Sequence, residues 1–427
     1  MTTLIKSGRI VNPSTDMDQV CDILVEDGII TKCDKHIEGS FNQVIDATGL
    51  VVMPGLIDLH VHLREPGFEH KETIETGSRA AAKGGFTTIC PMPNTKPVTD
   101  CAQVVKFITD KAKEVSPINV LPVGAVTVGQ AGKELSDIEG MKQAGICAIS
   151  EDGKSVMNSG LYEEAMKIAA RLNIPVLAHC EDINLVKGGA INAGKKAEGL
   201  GIKGITNAVE DVIVARDILL AKETKAVLHL CHCSTKDSIK MIQEGKADGV
   251  KLSAEVCPHH FTLCEDDIVS KDPNYKMNPP VRAREDLEAL KWGIAHDVID
   301  VIATDHAPHH ADEKNKGIEV APFGIVGSET AVALTMTELV HTGIITYMQM
   351  AKKMSYNPAK ILGINKGTLD EGAVADIVII DPNKEYQIDS STFVSKGKNT
   401  PFDGYKAKGM VMYTICGGRV VYQYNKR

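Results

Sequence analysis

No stretch of this sequence is long and apolar enough to span a bilayer. Its first residues, Met1-Thr2-Thr3-Leu4-Ile5-Lys6, lack an apolar signal core, so a cytoplasmic location is expected. An excess of positive charge is also missing: 47 Lys and Arg stand against 56 Asp and Glu, a formal net charge of −9. That excludes a global attraction to nucleic acid or to an anionic membrane. Low-complexity linkers are absent too. The 11 cysteines are odd in number and scattered along 427 residues, so they read as reduced thiols and not as a disulfide framework. What remains is an ordinary globular composition, 43% hydrophobic and 24% charged, long enough for a large core and more than one domain.

The run Asp58-Leu59-His60-Val61-His62-Leu63-Arg64-Glu65-Pro66-Gly67 follows Gly55-Leu56-Ile57 and reads as the end of a buried strand. Residues two apart share one face of a strand. His60 and His62 therefore point the same way, with Leu59, Val61 and Leu63 opposite. Two imidazoles at one strand end make half of a metal site. Arg64 continues the parity with a planar fork suited to a carboxylate or phosphate.

A lone His-x-His pair is weak evidence, but the missing ligands recur with the same logic. Asp152, His179, His232 and Asp305 each end a short apolar run, beginning near Ile146, Ile174, Ala226 and Ile299. Cys231-His232-Cys233 invites a structural zinc site with His179-Cys180. Alternation argues against it, placing Cys231 and Cys233 on the face opposite His232. His259 and His260 are adjacent, cannot share a strand face, and read as packing or hydrogen-bonding residues.

Strand candidates begin near Leu56, Thr87, Asn119, Ile146, Ile174, Ala226, Val250 and Asp300. Amphipathic stretches lie between them, such as Ile74 to Gly84 and Cys101 to Val115. This alternation predicts a parallel sheet covered by helices. Eight strands close a (β/α)8 TIM-type barrel, whose active sites lie at the C-terminal strand ends, where the candidate ligands fall. Both chain ends instead show short strands with turn signals, such as Glu26-Asp27-Gly28 and Asp370-Glu371-Gly372. The expected α/β architecture is a barrel over 54–366 beside a small β-sandwich formed by 1–53 and 367–427.

The run from Asp58 to Gly67 resembles the first dihydroorotase motif. Ala303-Thr304-Asp305-His306-Ala307-Pro308-His309, followed by Lys314, resembles the second, and Pro91-Met92-Pro93-Asn94-Thr95 also matches. The resemblance covers the full chain and is to the class I bacterial dihydroorotases of the amidohydrolase superfamily. It implies Zn2+, with His60, His62 and Asp305 on one ion, His179 and His232 on a second, and Asp152 bridging. Lys154 is the alternative bridge, and a single ion the alternative occupancy.

The resemblance also implies the reversible cyclisation of N-carbamoyl-L-aspartate to L-dihydroorotate, a step of pyrimidine (UMP) biosynthesis. Asp305 would act as general base and then acid. Arg64, Asn94 and His309 would bind the substrate carboxylate, with His62 beside them. Asn278 would contact the ring, and backbone groups around Phe323-Gly324 would hold its amide edges. The polar stretch His310 to Gly317 reads either as a mobile loop over the site or as a solvated surface loop. A homodimer, and association with aspartate transcarbamoylase, are the implied assemblies. Two rival readings stay open. Dihydropyrimidinases, hydantoinases and allantoinases share the chemistry but need no clamp for an extra carboxylate. A non-catalytic scaffold for aspartate transcarbamoylase would have lost its metal ligands.

Overall fold

The strand Leu56–Val61, with Asp58 and His60 among apolar residues, is buried at every position, as a strand enclosed on both faces requires. In the computed structural model, which describes residues 1–425, it is the first strand of a parallel barrel. It pairs with Phe86–Pro91, which pairs with Asn119–Val120. A second parallel ladder runs through Val123–Ala125, Ala148–Ser150, Val176–Ala178, Leu228–Leu230, Leu252–Val256 and Val301–Ile302. Asn119–Val120 and Val123–Ala125 are one strand interrupted at Leu121-Pro122, because proline has no N–H for the ladder. The barrel closes where Val61 bridges His306 and the His62 N–H donates to the His306 carbonyl at 2.8 Å. These are the eight strands expected from the sequence.

Helices on the outside start at side-chain caps. Thr73 caps Ile74–Lys83, Asn158 caps Ser159–Leu172 and Thr235 caps Lys236–Ala247. Each such cap is worth about 1 kcal/mol. On Ala208–Thr224 a buried carboxylate, Glu210, accepts from the N–H groups of Ser234 and Thr235. That fixes the turn that follows the sixth barrel strand and so the backbone of His232.

Both chain ends join one sheet, ordered Arg419–Gln423, Lys406–Cys416, Ile377–Gln387, Val51–Pro54, Thr2–Asn12, Met17–Glu26 and Ile29–Asp34. Thr2–Asn12 is a fork. Its first half pairs in parallel with Gln43–Asp46 and its second half with Val51–Pro54. The split coincides with a bulge between Ile5 and Gly8, where Ser7 has φ 56°. A Cβ at Gly8 would lie 2.5 Å from the Val52 Cγ2, so glycine is required there. The forked sheet encloses its own core of Ile5, Ile10, Ile23, Ile45, Val52, Ile377, Ile379 and Ile415. Among the described residues, no helix is long and apolar enough to cross a membrane.

Candidate active site

Five barrel strands deliver six buried side chains to one place. His60 ends the first strand and His62 follows it, Asp152 follows the fourth, His179 the fifth, His232 the sixth and Asp305 the eighth. Asp152 is the hub. Its Oδ1 lies 3.1 Å from His60 Nε2, 3.3 Å from His179 Nδ1 and 3.7 Å from His232 Nε2, and its Oδ2 lies 3.5 Å from His62 Nε2. Asp305 Oδ1 sits 3.1 Å from His62 Nε2 and 3.6 Å from His60 Nε2. His179 Nδ1 and His232 Nε2 face each other at 2.9 Å.

These groups fit a metal centre. The Nε2 of His60 is buried with no hydrogen-bond partner, while its Nδ1 is held by Glu255 Oε1 at 2.9 Å. A carboxylate behind the ring and a free lone pair in front is the arrangement of a metal-bound histidine. Ligands each about 2.0–2.2 Å from a zinc ion fall roughly 3–3.7 Å apart, the spacing seen here. Burial opposes the charge on Asp152, but His60, His179 and His232 outweigh it and hold the carboxyl well below its usual range. Burial likewise opposes ionisation of Asp305, and His62 and His60 overcome it. Burial would lower His179, yet Asp152 and Glu181 raise it to about 10. The cluster thus favours added positive charge. Arg64, His232 and Asp305 have φ of 62°, 34° and 47°, left-handed values that non-glycine residues adopt at a cost of about 1 kcal/mol or more.

The other candidate residues face the same cavity. It has a volume of about 220 Å³, and its walls include His62, Arg64, Asn94, Asp152, His179, His232, Asn278, Asp305, His309, Phe323 and Gly324. His60 sits behind this wall. A second cavity of about 280 Å³ lies against the chain-end sheet, near Lys83, Tyr386, Phe393 and Tyr422, away from the His/Asp cluster.

Arg64 is half-buried, and desolvation of its guanidinium lowers its pKa to about 10, which still leaves it charged at neutral pH. Its Nε donates to the Pro308 carbonyl at 3.2 Å, and its Nη2 lies 3.2 Å from His309 Nε2. His309 Nε2 faces the Phe323 carbonyl at 2.8 Å. A carbonyl only accepts, so the shorter contact puts the proton on Nε2; the Arg64 Nη2, itself a donor, then lies against that N–H without a hydrogen bond, and the partnerless Nδ1 is the free acceptor. Burial and Arg64 push His309 down to about 2, so its ring is neutral. His62 Nδ1 donates to Asn94 Oδ1 at 2.9 Å. Asn278 Nδ2 donates to Glu181 Oε2 at 2.8 Å. Gly324 has φ 125°, and a Cβ there would meet Ala307 Cβ at 2.6 Å.

The structure corrects the readings of Cys231 and of the stretch after His309, and places two other residues. Cys231 does not lie away from the site. Its sulfur belongs to one compact group with ligand atoms of His60 and Glu255. The left-handed backbone at His232 ends the strand alternation on which that expectation rested. Lys154 is exposed and donates to the Gln130 carbonyl at 3.0 Å, outside the cluster. The stretch after His309 is neither wholly solvated nor a simple loop. It forms the short helix Ala311–Lys314, and Lys314 is buried. His260 does hydrogen-bond, its Nε2 donating to the Pro279 carbonyl at 2.9 Å.

Two carboxylates behind the ligands escape the sequence reading. Glu255 holds His60 and also His229 Nε2, at 2.9 Å. Glu181 holds His179 Nε2 at 2.7 Å. The one signal for Glu255 is a charge inside the otherwise uncharged strand Leu252–Val256.

The chain matches the dihydro-orotase-like family model over residues 49–238 and an amidohydrolase family model over 331–422. It is 51% identical over 423 residues to a dihydroorotase of Bacillus cereus, with 99% of each chain covered, and equally to one of Bacillus anthracis. This chain belongs to the dihydroorotase family. Its fold is shared by wider cyclic amidohydrolases. An L-hydantoinase (dihydropyrimidinase) from Arthrobacter aurescens superposes with a TM-score of 0.90 at 27% identity, covering 99% of this chain and 96% of that one. A dihydropyrimidinase from Brevibacillus agri gives 0.86 at 23% identity, covering 99% and 95%, and speaks for the fold alone. Within the dihydroorotase family, the amidohydrolase match and the His/Asp clusters point to a metal centre.

Proposed function

We propose that this dihydroorotase-family enzyme interconverts N-carbamoyl-L-aspartate and L-dihydroorotate at a zinc centre. The observation that carries the reading is the Arg64–His309 corner, a half-buried cation beside a neutral imidazole, opening on the same cavity as the Asp152 cluster. A ring amide that also bears a carboxylate fits both halves. A substrate without the carboxylate would leave the guanidinium desolvated and unpaired, which is costly.

His60, His62 and Asp305 on one side, His179 and His232 on the other and Asp152 between them would hold two zinc ions, which supply an activated water and polarise the ring carbonyl. In ring opening the water oxygen bonds to the carbonyl carbon and the ring C–N bond breaks. Asp305, kept ionised, takes the proton of the attacking water and returns it to the departing ring nitrogen. Arg64, Asn94 and His309 orient the substrate through its carboxylate. Asn278 and the Phe323–Gly324 backbone meet the ring edge. The reverse sequence closes the ring. The proposal extends to a cytoplasmic homodimer, to association with aspartate transcarbamoylase, and to domain limits at 53/54 and 366/367.

The test is turnover of L-dihydroorotate, dihydrouracil and allantoin by the purified chain, with metal measured on the same sample. Dihydroorotate opened in a metal-dependent manner, and preferred over the others, is the expected result. Preference for dihydrouracil or allantoin would overturn the carboxylate clamp. A chain without metal and without turnover would favour the scaffold reading.

A further inference from the structure

Lys314 is buried at 3% exposure, although it ends a short helix whose first residues face solvent. Its Nζ lies 3.0 Å from the Gly324 carbonyl, 3.1 Å from that of Pro322 and 3.3 Å from that of Lys276. An ammonium has three N–H bonds, and here each finds a carbonyl. The three carbonyls belong to two segments that form one wall of the cavity. Gly324 N–H also donates to the Lys276 carbonyl at 3.0 Å, and Asn399 Nδ2 donates to the Gly324 carbonyl at 3.0 Å. The Phe323 carbonyl, between the two gripped by Lys314, is left to accept from His309 at 2.8 Å.

We propose that Lys314 is a positioning residue for substrate affinity. Its ammonium fixes the peptide groups of Pro322 to Gly324 against the segment that carries Asn278, and through Phe323 it sets the ring of His309 beside Arg64. Lys314 touches no reacting atom. This inference rests on the ring-opening function proposed above.

Its protonation state matters because a neutral amine has two N–H bonds for three carbonyls. Burial, and then the Lys276 ammonium, lower its pKa to about 7, with Asp272 opposing. The other ionisable groups beside it are Glu313, its neighbour on the helix, and His309. His309 is neutral, so it adds no charge. Above neutral pH the clamp loses one bond and affinity falls.

The test compares metal-loaded wild type with Lys314→Met, which keeps the stem and removes the charge, in ring opening across pH 6 to 9 (a range set about the neutral point). KM of Lys314→Met should rise by about tenfold or more, the scale of lost charge-assisted hydrogen bonds. Its kcat should stay within about threefold, the signature of lost binding that ground and transition states share. Wild-type KM should climb with pH through neutrality, and the variant should lack that limb. An unchanged KM, or a loss confined to kcat, overturns the proposal. Lys314→Gln carries the same decision should the methionine variant fail to fold. No dihydroorotate turnover by wild type would overturn the functional reading and this inference with it. Wild-type turnover with an unaltered variant overturns this inference alone.

Discussion

Glu255 on the seventh barrel strand accepts from His60 Nδ1 at 2.9 Å across the barrel interior, and so aims the His60 Nε2 at Asp152. The same carboxylate takes His229 Nε2 on its other oxygen. Burial opposes its charge, and His229 and His60 overcome that. Glu255→Gln should therefore weaken metal binding about 10–100-fold, the usual effect of losing the carboxylate behind a ligating imidazole. Competition with a chromophoric chelator measures it. Unaltered affinity would mean that the ring is held by packing alone.

Asp305 lies 3.1 Å from His62 and faces the cavity from the eighth strand end. Asp305→Asn keeps the shape and removes the base. Turnover should fall by about 10²–10⁴-fold, the range for general acid–base catalysis. Metal content measured on the same sample separates lost proton transfer from lost ligation. Turnover preserved in the variant would remove Asp305 from the mechanism.

Arg64 divides this site from that of an amidohydrolase acting on an uncharged ring. Arg64→Met should raise KM for L-dihydroorotate about 10–100-fold, as expected for charge-assisted bonds to a carboxylate. Arg64→Lys should recover only part of that, because an ammonium lacks the planar fork. The ratio of dihydroorotate to dihydrouracil turnover should fall in both variants. A ratio unmoved by Arg64→Met would place the carboxylate elsewhere.

What the sequence made legible follows a simple physical boundary. Strand ends located Asp152, His179, His232 and Asp305, and the His60–His62 pair does converge, but not by simple alternation: a register irregularity between Asp58 and Val61 puts Leu59 in a different core cluster from Val61 and Leu63. Parity also failed at Cys231, where the left-handed backbone of His232 ends the alternation. Glu255 was hidden because its partner His60 lies 195 residues away, and a lone charge in an apolar strand does not name its partner. Lys314 stood out as a motif residue, but its burial did not, because a polar stretch looks the same whether its ammonium meets water or three carbonyls. Turn signals revealed the strands at both chain ends. They could not reveal the fork in Thr2–Asn12, which depends on Gly8 meeting Val52.

Acid sensitivity should arise from His260, a buried imidazole that donates to the Pro279 carbonyl and has no partner at Nδ1. Burial, with a contribution from His232, lowers its pKa from 6.5 to about 4. Between those values the unfolded chain binds a proton that the folded chain does not. Stability is therefore full above about pH 6.5 and is lost as pH falls towards about 4, by up to about 3 kcal/mol at roughly 1.4 kcal/mol per unit. His260→Gln keeps a donor for Pro279 and removes the titration. Denaturant unfolding of both proteins across that interval isolates the effect, since acid release of metal is common to both and cancels in the difference. The variant should lose less stability on acidification by about that amount. Parallel curves for the two proteins would show that His260 is protonated equally in both states.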